Sequence, residues 1–313
     1  NDKRVYTVNA DTTKVKLTRS DGKTELWVTT KEDGTEASSV SSSEDFTISG
    51  TKTTLYYGTK GDFATIAVWN SALDRNGKTA TIKDAVTLKA LARMVNSGKD
   101  SMEGKTITLG ANIELKSDTS WTPIGTGANP FKGAFNGNKS TTYYTISGLT
   151  GNLFGVVDSG NNKTAIQYVT IGGGAGRLVG TLTSGTVQYC MSTANVTGSA
   201  GGLVGQNSGT VSSCYYYNVD SKNIPAADGS GTVTKCFYLA DSSTFGEEND
   251  TGARTVDEFK LGRVAYELGA STSVWVYDTT KADEKMPQLG RAYATMAVAN
   301  ELKLTKPDNQ PEG

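Results

Sequence analysis

Alternating apolar and polar residues in short runs, with glycine or asparagine turns between them, mark most of this chain as β-structure. At the front, Arg4–Val8, Lys14–Thr18, Glu25–Thr30, Phe46–Ser49, Thr53–Tyr57 and Thr65–Trp69 have this pattern. Asp21-Gly22, Asp33-Gly34 and Asn76-Gly77 are hairpin-type dipeptides. The serine-rich stretch Ala37–Ser43 reads as an exposed loop. Residues 1–80 are therefore expected to form a small β-sandwich module. The period then changes. Leu88, Leu91 and Val95 lie on one face of a helix over residues 85–97, with Asp84 as N-cap and Gly98 after its end.

The middle of the chain repeats itself. Leu153-Phe-Gly155, Leu178-Val-Gly180 and Leu203-Val-Gly205 recur at 25-residue steps. Ser-Gly-Thr-Val begins at Ser184, Ser208 and Ser230, each time followed by a cysteine: Cys190, Cys214 and Cys236. A unit this short cannot bury its own apolar side, so stacked units must share one core. The expected architecture is mostly β, with a right-handed parallel β-helix-like solenoid over residues 81–305. Helices near 85–97 and 256–268 are expected to cap its two ends, and 306–313 is a polar tail. Val187 and Cys190 are three residues apart, as are Val211 and Cys214, so both members face inward only if the chain bends between them. Gly155, Gly180 and Gly205 are expected at corners. The run Gly172-Gly-Gly174-Ala-Gly176 imitates a dinucleotide fingerprint, but a repeat strand follows it instead of a helix.

Composition narrows the chemistry. Glycine is abundant, 36 of 313 residues, and proline scarce, at six, which fits many tight turns between strands. There is no histidine, which removes Ser-His-Asp and Cys-His catalysis and every histidine-ligated metal. The net charge of −1 offers no electrostatic footprint for nucleic acid or an anionic membrane. No signal peptide precedes Asn1, so a mature or trimmed form is expected. Each Gly-Lys-Thr string lacks the upstream glycine of a phosphate loop. Neighbouring coils could bring two cysteines within disulfide reach, but a ladder of buried thiols filling the core is the reading adopted. No metal site and no soluble cofactor are expected.

Residues 82–290 resemble bacterial surface proteins that carry the GLUG motif, a glycine-rich repeat also found beside the catalytic part of some IgA-specific metallopeptidases. Leu88–Gly98 is similar to the family's leading helix, and Gly104-Lys-Thr106, Leu109 and Asn112–Leu115 to its first strand pair. Trp121–Gly125 and Phe131–Gly137 are similar to the next coil, and Leu203-Val-Gly205 with Gly209–Tyr215 to the repeat proper. Thr255–Leu268 resembles the closing helix, opening with a Thr255/Glu258 capping box. Trp275 and Pro287–Leu289 resemble the last strands. Where the family has Asp-Gly-x-Gly-His-x-Ile, this chain reads Asn136-Gly137-Asn138-Lys139 and lacks the histidine. No peptidase segment is present, so no proteolytic role carries over. The resemblance implies an exported, adhesin-like protein of the bacterial cell surface, secreted or anchored as a lipoprotein.

Three functional readings follow. The leading one is a non-catalytic adhesin or binding module whose partner is a host or matrix glycan or protein. Aligned on the cysteines, the aromatic residues form the columns Met191/Tyr215/Phe237 and Ser192/Tyr216/Tyr238. Strand alternation should bury one and expose the other. Tyr215, Tyr216, Tyr217, Phe237 and Tyr238 are the candidate ligand-binding residues, because a tyrosine ring offers apolar area with a polar tip; the alternative is that the rings pack against a neighbouring loop or the closing helix. The second reading is a structural spacer or fimbrial accessory subunit, with other surface subunits as partners. The third is a polysaccharide-active β-helix enzyme, which needs paired carboxylates. Residues 119–240 hold three acids, Asp158, Asp220 and Asp228, so no catalytic residue is assigned.

Overall fold

The computed structural model describes residues 68–115, 121–138, 141–244, 251–269, 274–276 and 286–290 in full; Lys139 and the strands before residue 60 are described by backbone alone. The front strands are Val5–Val8, Lys14–Lys16, Glu25–Thr29, Ser38–Ser41, Asp45–Thr47 and Thr53–Gly58. Four of them form an antiparallel sheet, and Lys14–Lys16 pairs antiparallel with Asp45–Thr47. Ser38–Ser41, expected as a loop, is a strand, with Val40 in register with Leu26. Pairing with a neighbour outweighs the turn preference of serine. Of the strand expected at Thr65–Trp69, residues 68 and 69 lie instead in a helical turn over 68–72, and 65–67 lie outside the described residues.

A parallel β-solenoid of about six turns follows. Its first face stacks seven strands: Thr79–Ile82, Thr106–Leu109, Ala134–Asn136, Thr164–Gln167, Thr186–Gln188, Thr210–Ser212 and Thr232–Thr234. The second face stacks Ile113–Glu114, Thr145–Ser147, Thr170–Gly172, Met191–Ser192, Tyr215–Tyr216, Phe237–Leu239 and Gly252–Arg254. Phe154–Asp158, Val179–Ser184 and Val204–Asn207 form a shorter third face. Single bridges from Ile124 and Phe131 extend it at one end, and one from Ala227 at the other. The coil begins at Thr79, ahead of the expected boundary.

Ile107, Phe135, Ile166, Val187 and Val211 are in register and fully buried. Each such side chain stabilises the fold by about 1.5–3 kcal/mol. The bend expected between Val187 and Cys190 exists and repeats. Tyr168, Tyr189, Ser213 and Lys235 occupy successive copies of it, with φ of 59°, 52°, 52° and 50°. Left-handed backbone costs a residue with a Cβ roughly 1–2 kcal/mol. In return the next residue points inward again, so Val169, Cys190, Cys214 and Cys236 all enter the core. None of the three cysteines is in a disulfide. Burial pushes the Cys214 and Cys236 thiols well above their ordinary range.

Gly155, Gly180 and Gly205 are not corner residues. They lie within the third-face strands, in ordinary extended backbone, where successive turns approach closely. A methyl on Gly180 would stand 2.8 Å from the carbonyl oxygen of Gly155, and one on Gly205 2.7 Å from that of Gly180. The corner role belongs to the run at 172–176, where Gly173, Gly174 and Gly176 have φ of 63°, 78° and 103°.

Helix α1, Ala85–Asn96, connects two adjacent parallel strands of the first face and takes the place of the other two faces in the first turn. The Asp84 carboxylate caps it, accepting from the Thr87 N–H at 2.7 Å. The Asn96 amide ties it to the next turn, donating to the Pro123 carbonyl at 2.9 Å and accepting from the Gly125 N–H at 2.8 Å. The helix expected over 256–268 is two short ones, α2 (Val256–Lys260) and α3 (Arg263–Glu267), parted by Gly262 at φ 86°. The capping box at Thr255 and Glu258 is present.

Replacing Gly205 by alanine is expected to destabilise the chain by about 1–3 kcal/mol, because the new methyl meets backbone that cannot yield without breaking the ladder. Gly151→Ala, where a methyl meets nothing within 4 Å, is the matched control. Denaturant unfolding of both variants checks this; equal stability of the two would refute the close-approach role.

Candidate functional site

The structure packs the five aromatic residues singled out from the sequence against the coil's core and the C-terminal segment, the alternative to a ligand-binding role. Tyr215, Tyr216 and Phe237 are all buried, so no exposed aromatic column exists here. Alternation does separate the two columns. Tyr216 points into the coil and its hydroxyl donates to the Ala194 carbonyl at 3.0 Å. Tyr238 is half-buried against the same core. The other column, Met191/Tyr215/Phe237, packs in a second cluster with Phe259, Val264, Leu268 and Trp275. The Tyr215 ring lies 5.6 Å from Phe259 and 5.5 Å from Trp275. Its hydroxyl donates to the Pro287 carbonyl at 2.6 Å. Burial pushes that phenol far up its titration range. Tyr217, half-buried, meets Phe259 edge-on at 5.0 Å. The C-terminal helices thus clamp the flank of the second face, where a cap over the coil's end was expected. The aromatic surface they cover supplies the reason, since leaving it in water would forfeit its burial energy.

A different surface is open. The first face sends two columns outward. One runs Thr79, Thr106, Ala134, Thr164, Thr186, Thr210, Thr232; the other runs Thr81, Thr108, Asn136, Gln167, Gln188, Ser212, Thr234. All are exposed or half-buried. Three amides of the second column form a ladder: Gln167 Nε2 donates to Asn136 Oδ1 at 2.8 Å, and Gln188 Nε2 to Gln167 Oε1 at 3.0 Å.

Tyrosines line the edge of this face. Tyr168 and Tyr189, the left-handed corner residues of two successive turns, stack with centroids 5.5 Å apart and planes 7° from parallel. Tyr143 meets Tyr168 edge-on at 5.8 Å. Burial, followed by the neighbouring phenols, raises the Tyr168 hydroxyl above its ordinary value of 10, and burial raises that of Tyr143. Both phenols therefore stay protonated at neutral pH and can donate hydrogen bonds. The sequence carried a signal for this edge: Ile166-Gln-Tyr-Val169 and Val187-Gln-Tyr-Cys190 are copies of one string. The outward threonines likewise recur as Thr79-Ala-Thr81, Thr106-Ile-Thr108 and Thr232-Val-Thr234.

The three coil acids stand apart in role. The Asp158 carboxylate accepts from the Ser184 hydroxyl, whose oxygen in turn accepts from the Gly160 N–H. Asp228 lies one turn beyond Asn207, to which its backbone carbonyl is bonded, and Asp220 is exposed in a tight turn with Asn218. Among the described residues no group of three His, Cys, Asp or Glu could hold a metal ion. No helix among them is long and apolar enough to cross a membrane.

No family model matches the chain. No curated protein matches it either. Among solved structures, a crystal structure from Bacteroides ovatus described as a "putative immunoglobulin A1 protease" is similar, at 13% identity and a TM-score of 0.40, over 70% of this chain and 94% of that one.

Ion pairs hold the C-terminal clamp together. Arg254, buried over the Phe237 ring, pairs with Glu267 at 2.8 Å. Arg263 bridges Glu267 at 3.0 Å and Glu258 at 2.5 Å. Burial alone would raise the Glu258 carboxyl above its ordinary 4.5. Hydrogen bonds from Ser243 and the Thr255 N–H, with the Arg263 charge, outweigh it and lower the group. A lowered carboxyl contributes stability above its unfolded value and loses it as the pH falls through the folded one. The stability difference between the native chain and Glu258→Gln is expected to be full near pH 7, to start falling only as the pH drops through the ordinary carboxyl value of 4.5, and to be lost below the lowered folded value. Thermal unfolding across that range checks it, and a pH-independent difference would refute it.

Proposed function

We propose that this chain is a non-catalytic binding module of a bacterial cell surface, an exported adhesin-like protein of the GLUG-repeat kind. In this reading a β-sandwich module precedes the solenoid, and the solenoid contacts host or matrix glycans or proteins. The observation that carries it is the outward side of the first face: two columns, chiefly of hydroxyls and amides, that keep exposure among the described residues, edged by Tyr143, Tyr168 and Tyr189. A purely structural coil needs its outward columns only to be soluble. Stacked phenols and linked amides fix donors and acceptors in place, which lowers the ordering cost of binding.

An array of glycans and matrix proteins tests this with the native chain and a Tyr168→Asn/Tyr189→Asn variant. Asparagine tolerates the left-handed backbone while removing both rings. The expected result is specific binding that weakens about tenfold or more in the variant, as loss of one or two hydrogen-bonded contacts gives. Silence of the native chain across the array would refute the reading and leave the spacer or fimbrial-subunit role.

A further inference from the structure

We infer that the first face binds an uncharged, extended polysaccharide laid parallel to the solenoid axis, one turn of the coil to each step along the polymer. This rests on the binding-module reading above and names its ligand. The main contacts are Gln167, Gln188, Thr186 and Thr210 on the face, with the hydroxyls and ring edges of Tyr168 and Tyr189 beside them.

Charge is the first ground. From Thr79 to Thr234 the two outward columns contain no ionisable side chain over seven strands. Three lysines flank the strands in the early turns: Lys105 is paired with Asp100 at 2.9 Å, while Lys78 and Lys83 are exposed at the two ends of the first strand. Lys163 and Lys235 stand at the rim. A polyanion would meet no row of counter-charges on this surface, and a neutral ligand loses nothing by their absence.

Chemistry is the second. Hydroxyls and primary amides both donate and accept, and so do the hydroxyls of a sugar. Asn136 spends one oxygen lone pair, Gln188 one N–H and Gln167 one of each on their neighbours, and every amide keeps a further N–H and a further lone pair for a ligand. A protein partner is a poor match, because protein interfaces are anchored by apolar and aromatic side chains seated in pockets. Here the faces of Tyr168 and Tyr189 are turned toward each other, and the columns offer no apolar side chain beyond Ala134.

Periodicity is the third. Equivalent side chains on adjacent strands repeat about every 4.8 Å. Sugar residues of an extended chain advance by a comparable step and repeat the same hydroxyls. Contacts weak one at a time then add along the polymer, so affinity grows with ligand length.

The test is affinity electrophoresis and calorimetry of the full chain against neutral polymers (β-glucan, mannan, xylan), anionic ones (polygalacturonate, heparin) and collagen. A neutral oligosaccharide series of increasing length follows. The expected result is binding to a neutral polymer and affinity rising with length. A Gln167→Ala/Gln188→Ala/Thr210→Val variant should bind about tenfold more weakly or less, with its thermal midpoint unchanged. Binding confined to anionic polymers or collagen would overturn this inference and leave the binding-module reading standing. Neutral-polymer binding that the face variant does not weaken would also overturn it. Binding to no probe would sink both.

Discussion

The parallel hydrogen-bond ladder between turns governs this molecule. Each turn must present its backbone to the next at one spacing and in one register, or the ladder fails on every face at once. No turn can enclose a core by itself, so each inward side chain is covered only by those above and below it. Ile107, Phe135, Ile166, Val187 and Val211 form one continuous column for that reason. Unforgiving positions recur along the third face, where Gly180 and Gly205 stand against the carbonyl of the turn before. There the ladder leaves no room for a Cβ.

The same constraint decides what was legible in the sequence. The Leu-x-Gly and Ser-Gly-Thr-Val repeats mark the turns, and the three-residue gap from Val187 to Cys190 foretold a bend that the structure contains. The place of the glycines was misread because a corner and a close approach both demand glycine. Only the stacking of the third face tells them apart. The columns themselves left open whether a ligand or the closing helix covers them. Tyr215 sits in a strand whose alternation says that it faces away from the coil, and that much is true. What lies on that side comes from Phe259 and Trp275, well over thirty residues further along the chain. Strand periodicity reports which side of a sheet a residue occupies and carries no information about a second layer outside it.

The open surface was present in the sequence as the doubled Gln-Tyr string and the recurring threonines. Tyr168 and Tyr189 were easy to pass over because they are corner residues, and a tyrosine in left-handed backbone is not what a turn pattern suggests. Their rings stack because the ladder brings the two corners one strand spacing apart. The amide ladder has the same origin. Asn136, Gln167 and Gln188 lie in one column, and each finds its neighbour within reach of a hydrogen bond.

The two outward surfaces of the coil have opposite fates, and side-chain chemistry accounts for the difference. On the second face the outward column changes from Thr145 and Thr170 to Met191, Tyr215 and Phe237, and the C-terminal helices cover the apolar part. On the first face the outward columns are polar from the first strand to the last apart from Ala134, and every member keeps some exposure among the described residues. Apolar ladders recruit cover because burial stabilises them; hydroxyl and amide ladders gain little from cover that cannot match their donors and acceptors. A partner for the first face must therefore bring a repeating set of polar groups at the spacing of the strands. That requirement comes from the hydrogen-bond ladder, which sets both the core and the surface of this fold.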